Sequence, residues 1–231
     1  RLRLDRHLDD RLGELHALKN DLVVRIAQRV TGGRVLETRE RDDIAGVGFL
    51  HVFAVLLGGC TALLPAYCDE ILHVDETGFG ALRAAPAIGA FAMALLLAHR
   101  APLQRPGRAL LWSVAGFGVA TVIFGVSENV VLSFAMLLLS GAFDNISVVV
   151  RGTLMQVLTP DAMRGRVAAV NSIFISSTNQ LGAFESGIVA AKLGLVGSVV
   201  FGGVGTLLIA GAWAVFWPAL RRLEPLHTLK K

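Results

Sequence analysis

Apolar residues run in blocks longer than the helices of a soluble domain, at about 44–67, 79–98, 110–126, 130–152, 167–190 and 197–217. A helix that crosses a bilayer needs about 20 mostly apolar residues, and each block reaches or approaches that length. Six membrane-spanning helices are predicted. Only Ser127, Glu128 and Asn129 separate the third block from the fourth, so that pair is expected to form a tight antiparallel hairpin. Residues 1–43 follow another pattern: Leu4, Leu8, Leu12, Leu15, Leu18, Leu22 and Ile26 recur at three- and four-residue steps with charges between them. One narrow apolar stripe predicts an amphipathic helix, ended by Gly32-Gly33. It reads as a cytoplasmic linker helix, with a lipid-interface helix or a short coiled coil as alternatives. The predicted architecture is all-α and polytopic. It has a cytoplasmic amphipathic helix at 1–43, a six-helix transmembrane domain at 44–218 and a basic cytoplasmic tail at 219–231.

Composition agrees. Hydrophobic residues make up 54% of the chain and charged ones 17%, against about 25% charged in soluble domains. The 25 glycines suit closely packed membrane helices. A net charge of +4 raises nucleic acid as a partner, but the basic residues sit in short loops, which fits membrane topology better. In a six-span arrangement, 20 of the 22 Lys and Arg fall on one side. They lie in the N-terminal segment, after the second span, between the fourth and fifth, and in the tail. Lys192 and Arg83 fall on the other side, where the first loop carries Asp69, Glu70, Asp75 and Glu76. This bias predicts that both termini are cytoplasmic. No secretory signal precedes the spans, and the chain starts at Arg1 rather than Met, so it is expected to be part of something longer. Cys60 and Cys68 would be roughly 12 Å apart along a continuous helix, too far for a disulfide.

The polar residues inside the spans carry the candidate chemistry. Thr159–Gly187 begins as a basic turn and continues as a span holding Asn171, Ser172, Ser176, Ser177, Thr178, Asn179, Gln180, Glu185 and Ser186. Ser172, Ser176, Asn179, Ala183 and Ser186 fall on one predicted stripe, with Asn171, Thr178 and Glu185 along its flank. Hydrogen bonds between helices explain a few such residues; a whole stripe with an ionisable group suggests a lined path. On the fourth span, Ser133, Ser140, Asp144, Ser147 and Arg151 share a face. Asp144 near the midplane is a candidate for proton coupling or cation binding. Arg151, one heptad on and about 10.5 Å along the axis, is either a snorkelling topology anchor or a functional group. Arg83 is expected to pair with the acids of the preceding loop, or with Glu185.

Other features have plainer readings. His51 reads as a hydrogen-bonding partner within its span, with a proton relay as the alternative. Pro65 and Pro86 are expected to kink their spans. Ala85/Gly89 and Ala183/Gly187 are small-xxx-small pairs suited to close helix approach. Neither metal-ligand spacing around His73 nor any HExxH, GxSxG or P-loop signature is present, so no cofactor, metal or enzymatic activity is predicted.

Four stretches, GGCTALLPAY, GALRAAPAIGA, SGAFDNISVVVRGTLMQ and TPDAMRGRVAAVNSIFISSTNQLGAFESG, give residues 42 to about 223 a resemblance to a known family. The chain resembles the C-terminal half, helices seven to twelve, of a major facilitator superfamily transporter, in the enterobactin-exporter and drug-efflux branch. The resemblance implies that Pro160–Arg166, with Asp161, Arg164 and Arg166, is the loop before helix eleven. It also implies that Arg105-Pro106-Gly107-Arg108 is a remnant of the facilitator gate loop, here without its usual acid. Such loops are implied to latch the cytoplasmic gate. Glu185 matches a family carboxylate, whereas Gln180 and Ala183 stand where glutamates were expected.

The function this reading predicts is proton-coupled efflux of a small amphipathic molecule, of drug or siderophore class, across a bacterial inner membrane. Asp144, Asn171, Ser176, Asn179, Gln180 and Glu185 would line the path or couple it. Arg83, Arg105, Arg108, Arg151, Asp161, Arg164 and Arg166 would serve the gate or the topology. The predicted partners are the bilayer, a small-molecule substrate, protons, and an N-terminal six-helix half or a second copy. The alternative is a non-transporting membrane fragment or an assembly module.

Overall fold

The computed structural model describes residues 59–99, 106–158 and 164–216, with backbone alone for 59–60, 154–158 and 216. The amphipathic segment 1–43, most of the first span with His51, the tail, Arg105, Pro160 and Asp161 lie outside the described residues. A 3-10 turn, Gly59–Leu63, leads into α1, Leu64–Glu70. It is followed by α2, Glu76–Ala98, α3, Pro106–Gly125, and α4, Val130–Leu158. The last helical segment, Arg164–Phe216, leaves helical geometry at Gly194, with φ 77° and ψ 170°. Its two arms are α5 (164–193) and α6 (195–216). Every element among the described residues is helical. Four segments are long and apolar enough to cross a membrane: Glu76–Ala98, Pro106–Gly125, Val130–Thr153 and Arg164–Val215. The chain is a polytopic helical membrane protein.

Local chemistry sets the helix boundaries. The Asp75 carboxylate accepts a 2.8 Å bond from Gly78 N–H at the start of α2, satisfying an otherwise orphaned donor. Asn129 does the same for α4, accepting from Val131 at 2.9 Å and Leu132 at 3.1 Å. Pro106 opens α3, where its missing N–H costs nothing. Pro65 likewise falls in the first turn of α1. It starts that helix instead of kinking one, contrary to the sequence expectation. The turn between α1 and α2 places His73 at φ 48°, held by a 2.8 Å bond from Nδ1–H to the Asp69 carbonyl.

Packing follows the small residues. α2 and α4 run in the same direction and nearly touch backbone to backbone. A Cβ built on Gly89 would overlap the Leu138 carbonyl and come within 3.1 Å of Ala142 N, and one on Gly141 would overlap the Pro86 carbonyl. The predicted Ala85/Gly89 pair is thus a true contact surface. Among the described residues the Ala183/Gly187 pair makes no such contact, since a Cβ on Gly187 meets nothing within 4 Å. α3 lies antiparallel to α4 across the short turn, with a Cβ on Gly116 falling 2.8 Å from the Phe143 ring. On its other side α3 meets α6, also antiparallel, through Gly118 against Gly203 and Leu207, and Gly125 against Val199.

Tyr67 ties these helices together at the end where the α1–α2 and α3–α4 turns lie. It is fully buried, with its ring 4.8 Å from that of Phe124. Its hydroxyl sits 3.1, 3.0 and 3.2 Å from the carbonyls of Phe124, Gly125 and Ser127. One proton shared among three acceptors caps the C-terminus of α3, where carbonyls have no helical partner. Leu64, Cys68, Leu72, Leu82, Ala85, Leu137 and Val199 complete the cluster.

Two outcomes test this packing by thermal denaturation in detergent. Gly89→Leu is expected to destabilise by about 1–3 kcal/mol through overpacking, while Gly187→Leu changes stability by less than about 0.5 kcal/mol. Tyr67→Phe keeps the ring contact but abandons the carbonyls, with an expected loss of about 1–3 kcal/mol.

Candidate functional site

Most of the polar face predicted on α4 is used in packing. Ser133 donates to Ser127 Oγ at 3.1 Å, and Ser140 donates to the Leu137 carbonyl at 2.7 Å. Ser147 lies 2.9 Å from Ser113 of α3. Ser113 gives its own proton to the Leu110 carbonyl at 2.8 Å, so Ser147 is the donor in that interhelical bond. Asp144 is different. It is half-buried, and among the described residues its carboxylate has neither a hydrogen bond nor an ion pair. Arg151 is 8% exposed, so protein encloses it instead of leaving it stretched along a lipid surface. About 10.5 Å of helix separates the two, close enough for their opposite charges to attract and too far for contact.

Beside Asp144 stands Asn145, whose Oδ1 is buried without a partner, as is Oγ1 of Thr121 on α3. Such groups normally find partners, so both stand out as functional candidates. Sequence reasoning passed over them, although an amide next to an intramembrane carboxylate was a legible signal. It also passed over Ser113 and Tyr67, whose importance depends on helices distant in sequence.

The α5 helix has three faces. Thr178, Gly182 and Ser186 are buried against the bundle. There Thr178 bonds its own helix at the Phe174 carbonyl, and the Ser186 backbone carbonyl accepts a 2.9 Å bond from the Ser198 hydroxyl of α6. Ile173, Phe174, Leu181, Phe184 and Ile188 form an exposed apolar face, interrupted by the exposed Ser177. Ser172, Ser176, Asn179 and Gln180 form an exposed polar face beside it. The predicted single stripe is therefore divided. Ser186 belongs to the packed side, as does the partly buried Asn171, which falls between Thr178 and Gly182, while the partly buried Glu185 flanks the packed face away from Asn179. A helical turn of 100° per residue separates Asn179 and Glu185 by about 120°, so they do not form one site.

The basic residues also sort by position. Arg83 lies with its guanidinium 5.9 Å from the Phe79 ring centroid. This is a cation–π contact, which replaces the expected pairing with the loop acids or Glu185. Arg108, Arg164 and Arg166 are exposed in the first turns of α3 and α5. Among the described residues no group of three or more His, Cys, Asp and Glu could hold a metal ion.

A bundle of spanning helices with unbonded polar groups on α4 and α5 belongs to the class of multi-pass membrane proteins. Residues 47–229 match the family described as transmembrane secretion effectors, within the major facilitator superfamily, and the chain belongs to that family. Its family is one of transporters, not enzymes. The chain is 28% identical over 181 residues to the enterobactin exporter EntS of Escherichia coli O1:K1 / APEC, which covers 78% of this chain and 43% of the relative. To EntS of Shigella boydii serotype 18 it is 29% identical over 182 residues, with the same 78% and 43% coverage. The chain thus spans less than half the length of the curated relatives it matches. No solved structure matches it.

The division of α5 makes a chemical prediction for the protein in membranes with Cys60 and Cys68 replaced. Single cysteines at Ser176 and Asn179 are expected to react with a charged, water-soluble maleimide at least about tenfold faster than cysteines at Ile173 and Phe184, because thiolate formation needs water. Equal rates on both faces would place the polar face against lipid.

Proposed function

We propose that this chain exports a small amphipathic molecule, of siderophore or drug class, as the C-terminal half of a facilitator-type transporter. In this reading six helices span a bacterial inner membrane with both termini in the cytoplasm. The observation that carries it is the pair of unbonded polar surfaces within spanning helices: Asp144 on α4, and the exposed Ser172–Gln180 face on α5. A polar group in a membrane without a protein partner needs water, substrate or another subunit, and the family supplies transport as the activity.

Asn179, Gln180 and Ser176 would line the path, while Asn171, on the packed side, would hold α5 against the bundle. Asp144 would take up and release the coupling proton, with Arg151 holding an opposing charge along the same helix. Glu185, on a different side of α5, would be a second carboxylate acting separately. The turn of Asp161, Arg164 and Arg166 would act at the cytoplasmic gate. Efflux would require an N-terminal six-helix half or a second copy, because alternating access needs two bodies that rock around one site.

The test is co-expression with the N-terminal half of a relative and measurement of efflux driven by a proton gradient. Asp144→Asn with Glu185→Gln is expected to slow efflux within the roughly 5–150-fold range of ordinary coupling energies and to flatten its pH dependence. Unchanged transport with unchanged pH dependence would remove both carboxylates from coupling. No efflux with any partner half would favour an assembly module.

A further inference from the structure

On α3, Arg108, Trp112, Val119 and Val126 are all exposed and recur at four- and seven-residue steps, so they form one stripe. On α6, Val204, Leu208, Gly211 and Val215 form another. The contacts of Gly118 with Gly203 and of Gly125 with Val199 fix the antiparallel register. That register brings Arg108 level with Val215 and Trp112 level with Gly211. Helical periodicity places both stripes on the same side of the α3–α6 pair. The result is one continuous wall, facing away from the polar groups of α4.

This wall has a chemical gradient. Its one cation, Arg108, stands in the first turn of α3, which contains no acidic residue. Among the described residues Arg108 has no carboxylate partner. One turn further in, about 6 Å along the axis, Trp112 is 77% exposed, the highest value together with Val131 among large apolar side chains. Level with Trp112 on α6, Gly211 carries no side chain and a Cβ there would meet nothing within 4 Å, which leaves a notch in the wall between Leu208 and Val215. Beyond it the wall is aliphatic. Cation, amphipathic ring, notch and aliphatic surface follow each other as phosphate, glycerol and acyl chain do in a phospholipid.

We propose that this wall binds an anionic phospholipid, with its phosphate on Arg108, its glycerol region at Trp112 and one acyl chain along the notch and the valines. A guanidinium suits phosphate because its planar fork offers two parallel donors, and an indole prefers the boundary where one edge is wet. A free soluble phosphate would use Arg108 but gain nothing from Trp112 or the aliphatic surface. Under the topology of the proposed function, on which only the choice of leaflet rests, the site faces the cytoplasmic leaflet, where anionic lipids attract basic residues.

Trp112 is its own reporter. The chain has three tryptophans, and Trp213→Phe with Trp217→Phe leaves Trp112 alone. The full chain is placed in phosphatidylcholine nanodiscs doped at equal fraction with chain-brominated phosphatidylglycerol or chain-brominated phosphatidylcholine. The brominated phosphatidylglycerol is expected to quench Trp112 with about fivefold greater apparent affinity, the effect of one basic residue at an anionic surface. Arg108→Lys, which keeps the charge but loses the fork, should retain part of that preference, and Arg108→Gln should abolish it. Equal quenching by the two lipids, or an undiminished preference in Arg108→Gln, overturns the proposal. Relief of quenching by inorganic phosphate would show a simple anion site and overturns the lipid as its occupant.

Discussion

The near contact between the backbones of α2 and α4 is the constraint on which the other features depend. Within a bilayer no hydrophobic force drives helices together, because lipid tails are as apolar as leucine; close packing must do it. Gly89 and Gly141 permit the Pro86 turn of α2 to lie on the Leu138–Ala142 turn of α4, with no room for a Cβ on either glycine. The α4 helix is then held by α2 on one side and, through Gly116–Phe143 and Ser113–Ser147, by α3 on another. What remains of its surface is a limited arc, and Asp144 and Val148 lie on it. A bulkier pair at the crossing would move that arc and everything it presents.

Polar side chains in this bundle do two kinds of work, distinguished by whether a partner takes up their hydrogen bonds. Ser113, Ser133, Ser140, Ser147 and Ser198 all bond within the protein. Tyr67 spends its hydroxyl on the end of α3, which anchors the turn that reverses the chain into α4. Ser147, Ser198 and Tyr67 join helices in this way, whereas Ser140 bonds only its own helix. Asp144, Asn145 Oδ1 and the Ser172–Gln180 face have no such partners among the described residues. In the proposed transport reading, that second group is the one left for a solute.

The composition of a helix face identifies its surroundings when it is set beside burial. On α5, one exposed arc is apolar but for Ser177 while the next is polar, a change for surfaces that would otherwise meet the same medium. Two different media explain it: lipid on one arc, and water or another protein body on the other. On α3, by contrast, the exposed arc is apolar along its length and ends in a single arginine. The same reasoning assigns that arc to lipid alone.

Span-length apolar blocks, the hairpin at Ser127–Asn129 and the capping residues Asp75 and Asn129 were all legible in the sequence. Each depends on local chemistry: helix length, turn residues, and side chains that reach their own backbone. The family was legible too, because its motifs lie in continuous segments. Asp144 could be singled out, since a carboxylate in an apolar block is conspicuous without any fold. Asn145 was equally visible beside it, yet an amide in a span is common enough that only its unbonded, buried oxygen made it notable.

Tertiary structure decided the rest. Whether Ala85/Gly89 or Ala183/Gly187 was the true contact depended on which helices became neighbours, and both pairs have the same local pattern. The split of the α5 stripe arose because α6 folds back at Gly194 and takes Ser186 as its acceptor, a bond between residues joined only through that reversal. Arg83 is the exception: its aromatic contact, Phe79, lies one turn earlier on the same helix, so that pairing was local. A sequence specifies what each side chain is able to bond and how far it reaches along its own helix. Which of those capacities is used up, and which is left for substrate or lipid, depends on contacts between helices that local pattern does not encode.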